Sequence, residues 1–177
     1  LKDTGQPFFM GCGFWKPHLP LNAPKRYWDL YGREKVEMVD NHYEIKNKPD
    51  ACNSSTEIFK YGWTGKENTQ MTKEIRVTKV FQREARHAYY ACISYVDAQI
   101  GKVLNMLDEL GLRDNTIVVL WGDHGWLLGE HRFWGKHSTL ELAMRTPLII
   151  SAPGINGNVK TRGLVESIDL FPTLCDM

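Results

Sequence analysis

Nowhere in these 177 residues does an apolar run approach the roughly 20 residues that a membrane-spanning helix requires. No stretch reads as a signal peptide. An excess of one charge is missing too: the formal net charge is +1, which argues against a nucleic-acid or membrane-surface role through bulk electrostatics. The four cysteines, Cys12, Cys52, Cys92 and Cys175, are widely spaced with no C-x-x-C pair, so thiolate metal-binding spacing is absent. Phosphate-cradling P-loops and G-x-G-x-x-G fingerprints are absent, and Gly11-Cys12-Gly13 lacks the third glycine of the latter.

What remains is 42% hydrophobic and 24% charged, ordinary for a globular domain and long enough to bury a sizeable core. The chain opens Leu1-Lys2-Asp3 without Met and stops within Asp169 to Met177, a segment that reads as structured. It is therefore expected to be a piece of a longer protein. Cys12 and Cys92 lie in apolar segments and are expected as buried thiols.

Pro7 to Phe14 reads as a core strand, followed by Trp15-Lys16-Pro17-His18-Leu19-Pro20, where two prolines favour an extended loop. Residues 21–72 are rich in Pro, Asn, Gly, Lys and aromatics and show little periodicity. They read as a long excursion with one short helix near Pro24 to Tyr31, and loops of this length are uncommon unless they shape a binding site. Its aromatic residues (Trp28, Tyr31, Tyr43, Tyr61 and Trp63 among them) suit carbohydrate stacking and plain packing alike. Asn53-Ser54-Ser55 is a formal glycosylation acceptor.

From about Thr78 to Leu110 the pattern becomes helical. Tyr89, Ile93, Val96, Ile100, Val103, Leu107 and Leu110 step by 4 and 3, one apolar stripe on a 3.6-residue helix, and Gly111 is placed to end it. Thr116 to Trp121 reads as a buried strand, Pro147 to Ser151 as a second, and Val165 to Leu174 begins another element. Strand, long helix, strand, helix or loop, strand is the order of an α/β domain with a mostly parallel sheet flanked by helices.

The stretch Gly122 to Lys136 follows the first of those strands. Asp123 and His124 fall just past its carboxyl end, the edge at which open α/β sheets bind ligands. An acid and an imidazole bracketed by Gly122 and Gly125 suit a hard cation or a substrate oxyanion approaching the backbone closely. Lys136 is a point positive charge suited to an anionic group, and His18 lies on the same kind of edge. Each residue also has an ordinary role: Asp123 as a helix cap, His124 and His18 as structural hydrogen-bonding groups, Lys136 as a solvated surface residue. Together they point to an anion-plus-metal site. Glu130 and His131 read as structural, with orientation of the site as the alternative, and Asp97, Glu141 and Arg145 read as structural.

Several segments together resemble the type I sulfatases: Lys16-Pro17-His18-Leu19-Pro20, Tyr95-Val96-Asp97 with Gly101, Gly122-Asp123-His124-Gly125, Leu128-Gly129-Glu130-His131, Lys136, and Thr146-Pro147-Leu148-Ile149-Ile150 followed by Pro153-Gly154. They occur in the family's order and span Pro7 to Leu174. The Lys-Pro-His and Trp-Gly-Asp-His-Gly-Trp forms look most like the iduronate-2-sulfatase branch. The resemblance implies an alkaline-phosphatase-like fold in which sulfate esters of carbohydrate are hydrolysed by a calcium-assisted formylglycine nucleophile. Residues 1–177 would be the latter portion of the catalytic domain. The C/S-x-P-x-R motif that carries the nucleophile is not in them, since Ser151-Ala152-Pro153-Gly154-Ile155 has Ile155 where Arg is required, and the paired N-terminal Asp calcium ligands are not seen either.

By matched position, Asp123 corresponds to a calcium ligand, and His124 stands where the family places another, often Asn. His18 corresponds to the histidine that contacts sulfate and protonates the departing alkoxide, Lys136 to the lysine that binds sulfate oxygens. Arg132 replaces a residue that is often small. The expected partner is a sulfated carbohydrate, and the expected compartment is secreted, periplasmic or lysosomal; the oligomeric state is not read. The 177-residue piece alone is expected to be inactive. A phosphodiesterase or phosphonate monoester hydrolase of the same superfamily is the enzymatic alternative, and a non-catalytic glycan-binding relative the other.

Overall fold

The structure, a computed structural model, describes residues 5–49, 57–59 and 78–177. Cys52, the acceptor Asn53-Ser54-Ser55, Tyr61 and Trp63 lie outside the described residues. In chain order the elements are α1 (Lys25–Trp28), α2 (Lys79–Glu109), β1 (Val118–Trp121), β2 (Leu127–Leu128), β3 (Trp134–Gly135), α3 (Glu141–Met144), β4 (Leu148–Ser151) and α4 (Leu170–Asp176).

Helix α2 is the spine. Thr78 caps it by accepting the Phe81 amide on its hydroxyl at 3.3 Å. At the far end Gly111 takes φ +65°. Its N–H donates to the Asp108 carbonyl and that of Leu112 to the Leu107 carbonyl, both at 2.9 Å. These two bonds make a Schellman motif, for which the left-handed glycine is the usual residue. The buried face is Phe81, Ala85, Ala88 and Cys92, a 4-3-4 spacing that packs on Leu19, Leu21, Ile58, Leu128 and Trp134. The expected stripe through Ile93 and Val103 lies one position further round, and both residues are exposed. The alanines decide which face is used, because their small side chains let other backbone segments approach the helix axis closely. Helix α1 docks alongside, with the Tyr27 ring tilted against that of Tyr95 at 5.3 Å and the buried His87 bonded through Nε2 to the Trp28 carbonyl at 2.9 Å.

Burial also quiets the one thiol in this core. Cys92 is enclosed, and desolvation pushes its pKa up to about 11, leaving very little thiolate, the reactive form, at neutral pH. Brief iodoacetamide treatment at pH 8 is expected to label native Cys92 about 100-fold more slowly than the same residue in urea; mass spectrometry of the Cys92 peptide checks this. Cys12, expected to be buried, is exposed.

Both ladders among the described residues are antiparallel. Strand β1 pairs with β4 from Val118↔Ser151 to Trp121↔Leu148, and β2 pairs with β3 through Leu127↔Gly135 and Leu128↔Trp134. This corrects the direction for the β1–β4 pair alone, and a mostly parallel α/β sheet accommodates one such pair. No long crossover helix separates β1 from β4; the chain between them holds the short β2–β3 hairpin and the four-residue α3, and such a connection permits antiparallel return. An antiparallel pair within an α/β architecture is common. A second correction falls on Pro7 to Phe14, where no strand forms and Phe9 is 91% exposed. An apolar run becomes a strand only beside a partner, and no described segment pairs with this one. The terminal segment forms α4 after a short turn at Ser167–Asp169. No helix among the described residues is long and apolar enough to cross a membrane.

Candidate active site

The site is assembled from three short segments. The first is the loop after β1. Asp123 and His124 do lie just past the strand, and Asp123 caps no helix: its Oδ1 accepts the His124 backbone N–H at 3.0 Å, and the next element is β2. Gly125 anchors the loop, donating its N–H to the Ala143 carbonyl at 2.8 Å. A Cβ on Gly125 would overlap the Leu142 carbonyl oxygen and come within 2.8 Å of that of Arg145. Because those atoms are backbone, Gly125→Ala is expected to cost about 1–3 kcal/mol through overpacking, read as a lowered denaturant midpoint.

The His124 ring has a defined orientation. Its Nδ1 lies 2.8 Å from the Gly125 carbonyl oxygen, which can only accept, so Nδ1 carries a proton and Nε2 is the nitrogen left to face outward. That Nε2 faces Asp123 Oδ2 at 3.6 Å, too long for a hydrogen bond. An imidazole Nε2 and a carboxylate turned toward one another, with the other ring nitrogen donating to a carbonyl, are an arrangement that suits a metal-ligand pair. The residues therefore fit a divalent cation as two of its ligands. Among the described residues no group of three His, Cys, Asp or Glu side chains gathers to complete a coordination shell.

The second segment is the β2–β3 hairpin, which delivers Lys136. Gly129 at its turn has φ +111°, and a Cβ there would meet the Trp134 ring at 3.0 Å. The Lys136 side chain is only 17% exposed, so it is no solvated surface lysine. Its Nζ lies 5.6 Å from the centre of the Trp126 ring, and that indole is in turn 6.4 Å from the His124 imidazole. Glu130 is structural: it accepts the Leu128 amide at 2.6 Å and pairs with Arg86 at 3.4 Å. His131 donates its amide to the Asn41 carbonyl at 2.7 Å and holds a left-handed φ of +51°, beside Arg132 at +63°.

The third segment carries His18. Its surroundings are a tight turn rather than the extended loop expected: His18 N–H donates to the Trp15 carbonyl at 3.0 Å, Lys16 Nζ donates to the carbonyls of His18 and Pro20, and the bonds Lys16–Pro17 and Leu19–Pro20 are cis. Buried Leu19 pins the turn into the core. His18 Nδ1 faces the Leu19 carbonyl oxygen at 2.8 Å, so Nε2 points into the site.

One residue that sequence reasoning missed ties two segments together. Glu57 Oε1 lies 3.5 Å from His18 Nε2 and 3.5 Å from Lys136 Nζ, and Oε2 lies 4.0 Å from His137 Nδ1. The two nitrogens thus converge on one oxygen of a carboxylate. The structure brings His18 and Lys136 together through Glu57, Asp123 and His124 to each other, and Trp126 between the two pairs. Such a site can neutralise the charged oxygens of a tetrahedral ester and offer a proton to the group that departs.

The fold is that of a sulfatase or alkaline-phosphatase-like α/β domain, of which these residues form a portion. A structural likeness covers 90% of the chain and 31% of the phosphonate monoester hydrolase from Silicibacter pomeroyi, with a TM-score of 0.70 and 29% identity. The chain belongs to the sulfatase family, whose family model matches residues 1–177. Iduronate 2-sulfatase of Mus musculus is 33% identical over 203 residues, covering 100% of this chain and 37% of the relative. A sulfatase of Formosa agariphila is 32% identical over 177 residues, covering 99% and 33%. The chain thus spans about a third of the length of the curated relatives it matches.

Proposed function

We propose that the intact protein hydrolyses sulfate esters of a sulfated carbohydrate of glycosaminoglycan type, with an iduronate-2-sulfatase-like specificity. The observation that carries this reading is the convergence of His18 Nε2 and Lys136 Nζ on a single anionic oxygen, in a chain of the sulfatase family. A sugar alkoxide is a poor leaving group, and His18 protonates it as the sulfur–oxygen bond opens. Lys136 balances charge on the non-bridging sulfate oxygens. Asp123 and His124 would hold a divalent cation, calcium by family likeness, which when bound would draw further charge from those oxygens. The nucleophile, a formylglycine in this reading, is supplied from outside the 177 residues, so the isolated piece does not turn over. The compartment that goes with this reading is secreted, periplasmic or lysosomal.

A peptide-mass map of the full-length native protein tests the nucleophile. The expected result is a C/S-x-P-x-R peptide whose first residue has the mass and aldehyde reactivity of formylglycine. An unmodified Ser or Thr nucleophile would overturn it. The likeness to a phosphonate monoester hydrolase favours one second reading, cleavage of phosphonate or phosphodiester substrates on the same scaffold, and substrate preference separates the two.

A further inference from the structure

Glu57 has no place in the chemistry described so far, yet its carboxylate lies between the two groups that carry it. We propose that Glu57 is a positioning residue for ester cleavage, holding the imidazole of His18 and the ammonium of Lys136 in register so that both act on one ester group. This rests on the sulfatase reading above and extends it to a residue outside the matched motifs.

The geometry supports the role in three ways. A single oxygen, Oε1, is 3.5 Å from both His18 Nε2 and Lys136 Nζ, so the two nitrogens can be no further apart than twice that distance. The carboxylate is itself largely enclosed. Its side chain is 16% exposed, and its neighbour Ile58 is fully buried in the core with Leu19 and Trp134. Leu19 adjoins His18, and Trp134 lies two residues before Lys136, so one core cluster fixes the backbone beneath all three side chains. Finally, the Nδ1 contact of His18 with the Leu19 carbonyl at 2.8 Å fixes only the ring's plane and one edge. A group on the Nε2 side is needed to set its tilt, and Glu57 stands there. Contacts at this length orient without clamping, and both nitrogens remain able to turn onto a substrate oxygen. Among the described residues His137 also approaches this carboxylate, at 4.0 Å and 65% exposed.

The competing account is that Glu57 merely balances buried charge and stabilises the fold. The leaving group tells them apart. A residue that positions the proton donor matters when the departing oxygen needs a proton and matters little when it does not. The test uses the full-length protein and two esters, a sugar sulfate and 4-nitrophenyl sulfate. Glu57→Gln, close to isosteric, is expected to lower kcat on the sugar sulfate by about 10-fold or more, while kcat on the nitrophenyl ester changes by less than about 3-fold. Loosening of Lys136 is expected to raise KM on both. Glu57→Asp, which keeps the charge, is expected to recover part of the lost ratio. Equal losses on the two esters, or an unchanged kcat on the sugar sulfate, would overturn the proposal. Where Glu57→Gln fails to fold, the ratio for Glu57→Asp decides: a shift toward the nitrophenyl ester upholds the role, and an unchanged ratio ends it. Wild-type protein that cleaves neither sulfate but turns over a phenylphosphonate ester would remove the sulfatase reading itself, and this role with it.

Discussion

Replacing His18 by alanine in the full-length protein is expected to lower kcat on a sugar sulfate by about 10²–10⁴-fold, the usual worth of a placed proton donor. The expectation comes from how the residue is held rather than from its identity alone. His18 sits in a tight turn, its Nδ1 committed to the Leu19 carbonyl at 2.8 Å, which leaves Nε2 facing the Lys136 and Glu57 side. A histidine used only for packing would have its ring enclosed by apolar side chains. Here its neighbours are a carboxylate and, at 5.0 Å, the Trp15 ring. The loss is expected to shrink on an ester with a phenol leaving group, because a phenolate departs without assistance. A measured loss below about 3-fold on the sugar ester would show that the proton comes from elsewhere. Steady-state rates on the two ester types, compared with wild type, are the measurement.

Truncation of Trp134 is expected to have the largest effect on stability, about 3–5 kcal/mol for Trp134→Ala. The side chain is 1% exposed, meets the Phe81 ring edge-on at 5.0 Å and fills the space between α2 and the turn at Gly129. Little around it can collapse into the void. Ala85 and Ala88 of the same cluster have side chains too short to fill it. The damage is expected to spread to the site, since the same cluster includes Leu19 and Ile58, the neighbours of His18 and Glu57. Trp134→Phe, which retains an aromatic ring, is expected to recover a substantial part. Denaturant midpoints read both variants, and a change within about 0.5 kcal/mol for Trp134→Ala would contradict this picture of the core.

Parts of this architecture were legible in the residues because the forces behind them are local. The cap at Thr78 and the left-handed Gly111 bound α2, and both are written in the chemistry of one side chain or its absence. The place of Asp123 and His124 followed from a short apolar run ending at a glycine. What failed were inferences that needed knowledge of a neighbour. Pro7 to Phe14 has the composition of a strand but no described segment beside it. The helix stripe was assigned to the larger residues, whereas the face that packs is set by Ala85 and Ala88, small enough for the turn at Leu19 and the hairpin at Trp134 to approach. Element order did not show that β4 returns antiparallel to β1, which the short connection between them allows. Glu57 was not found because its segment has no periodicity and no motif; only the tertiary fold places that carboxylate between two side-chain nitrogens distant in sequence. Lys136 shows the converse, since the motif pointed to it while its intrinsic chemistry suggested a surface residue.

The central claim is that these side chains serve sulfate-ester hydrolysis. Its most direct test is turnover by the full-length protein, with calcium present, of three substrates at equal concentration: a 2-O-sulfated iduronate disaccharide, a phenylphosphonate monoester and a phosphodiester. Release of inorganic sulfate, with kcat/KM at least about 100-fold above that for either phosphorus substrate and lost on Lys136→Ala, is the result predicted. Efficient cleavage of the phosphonate or the diester, with no sulfate released, would contradict it.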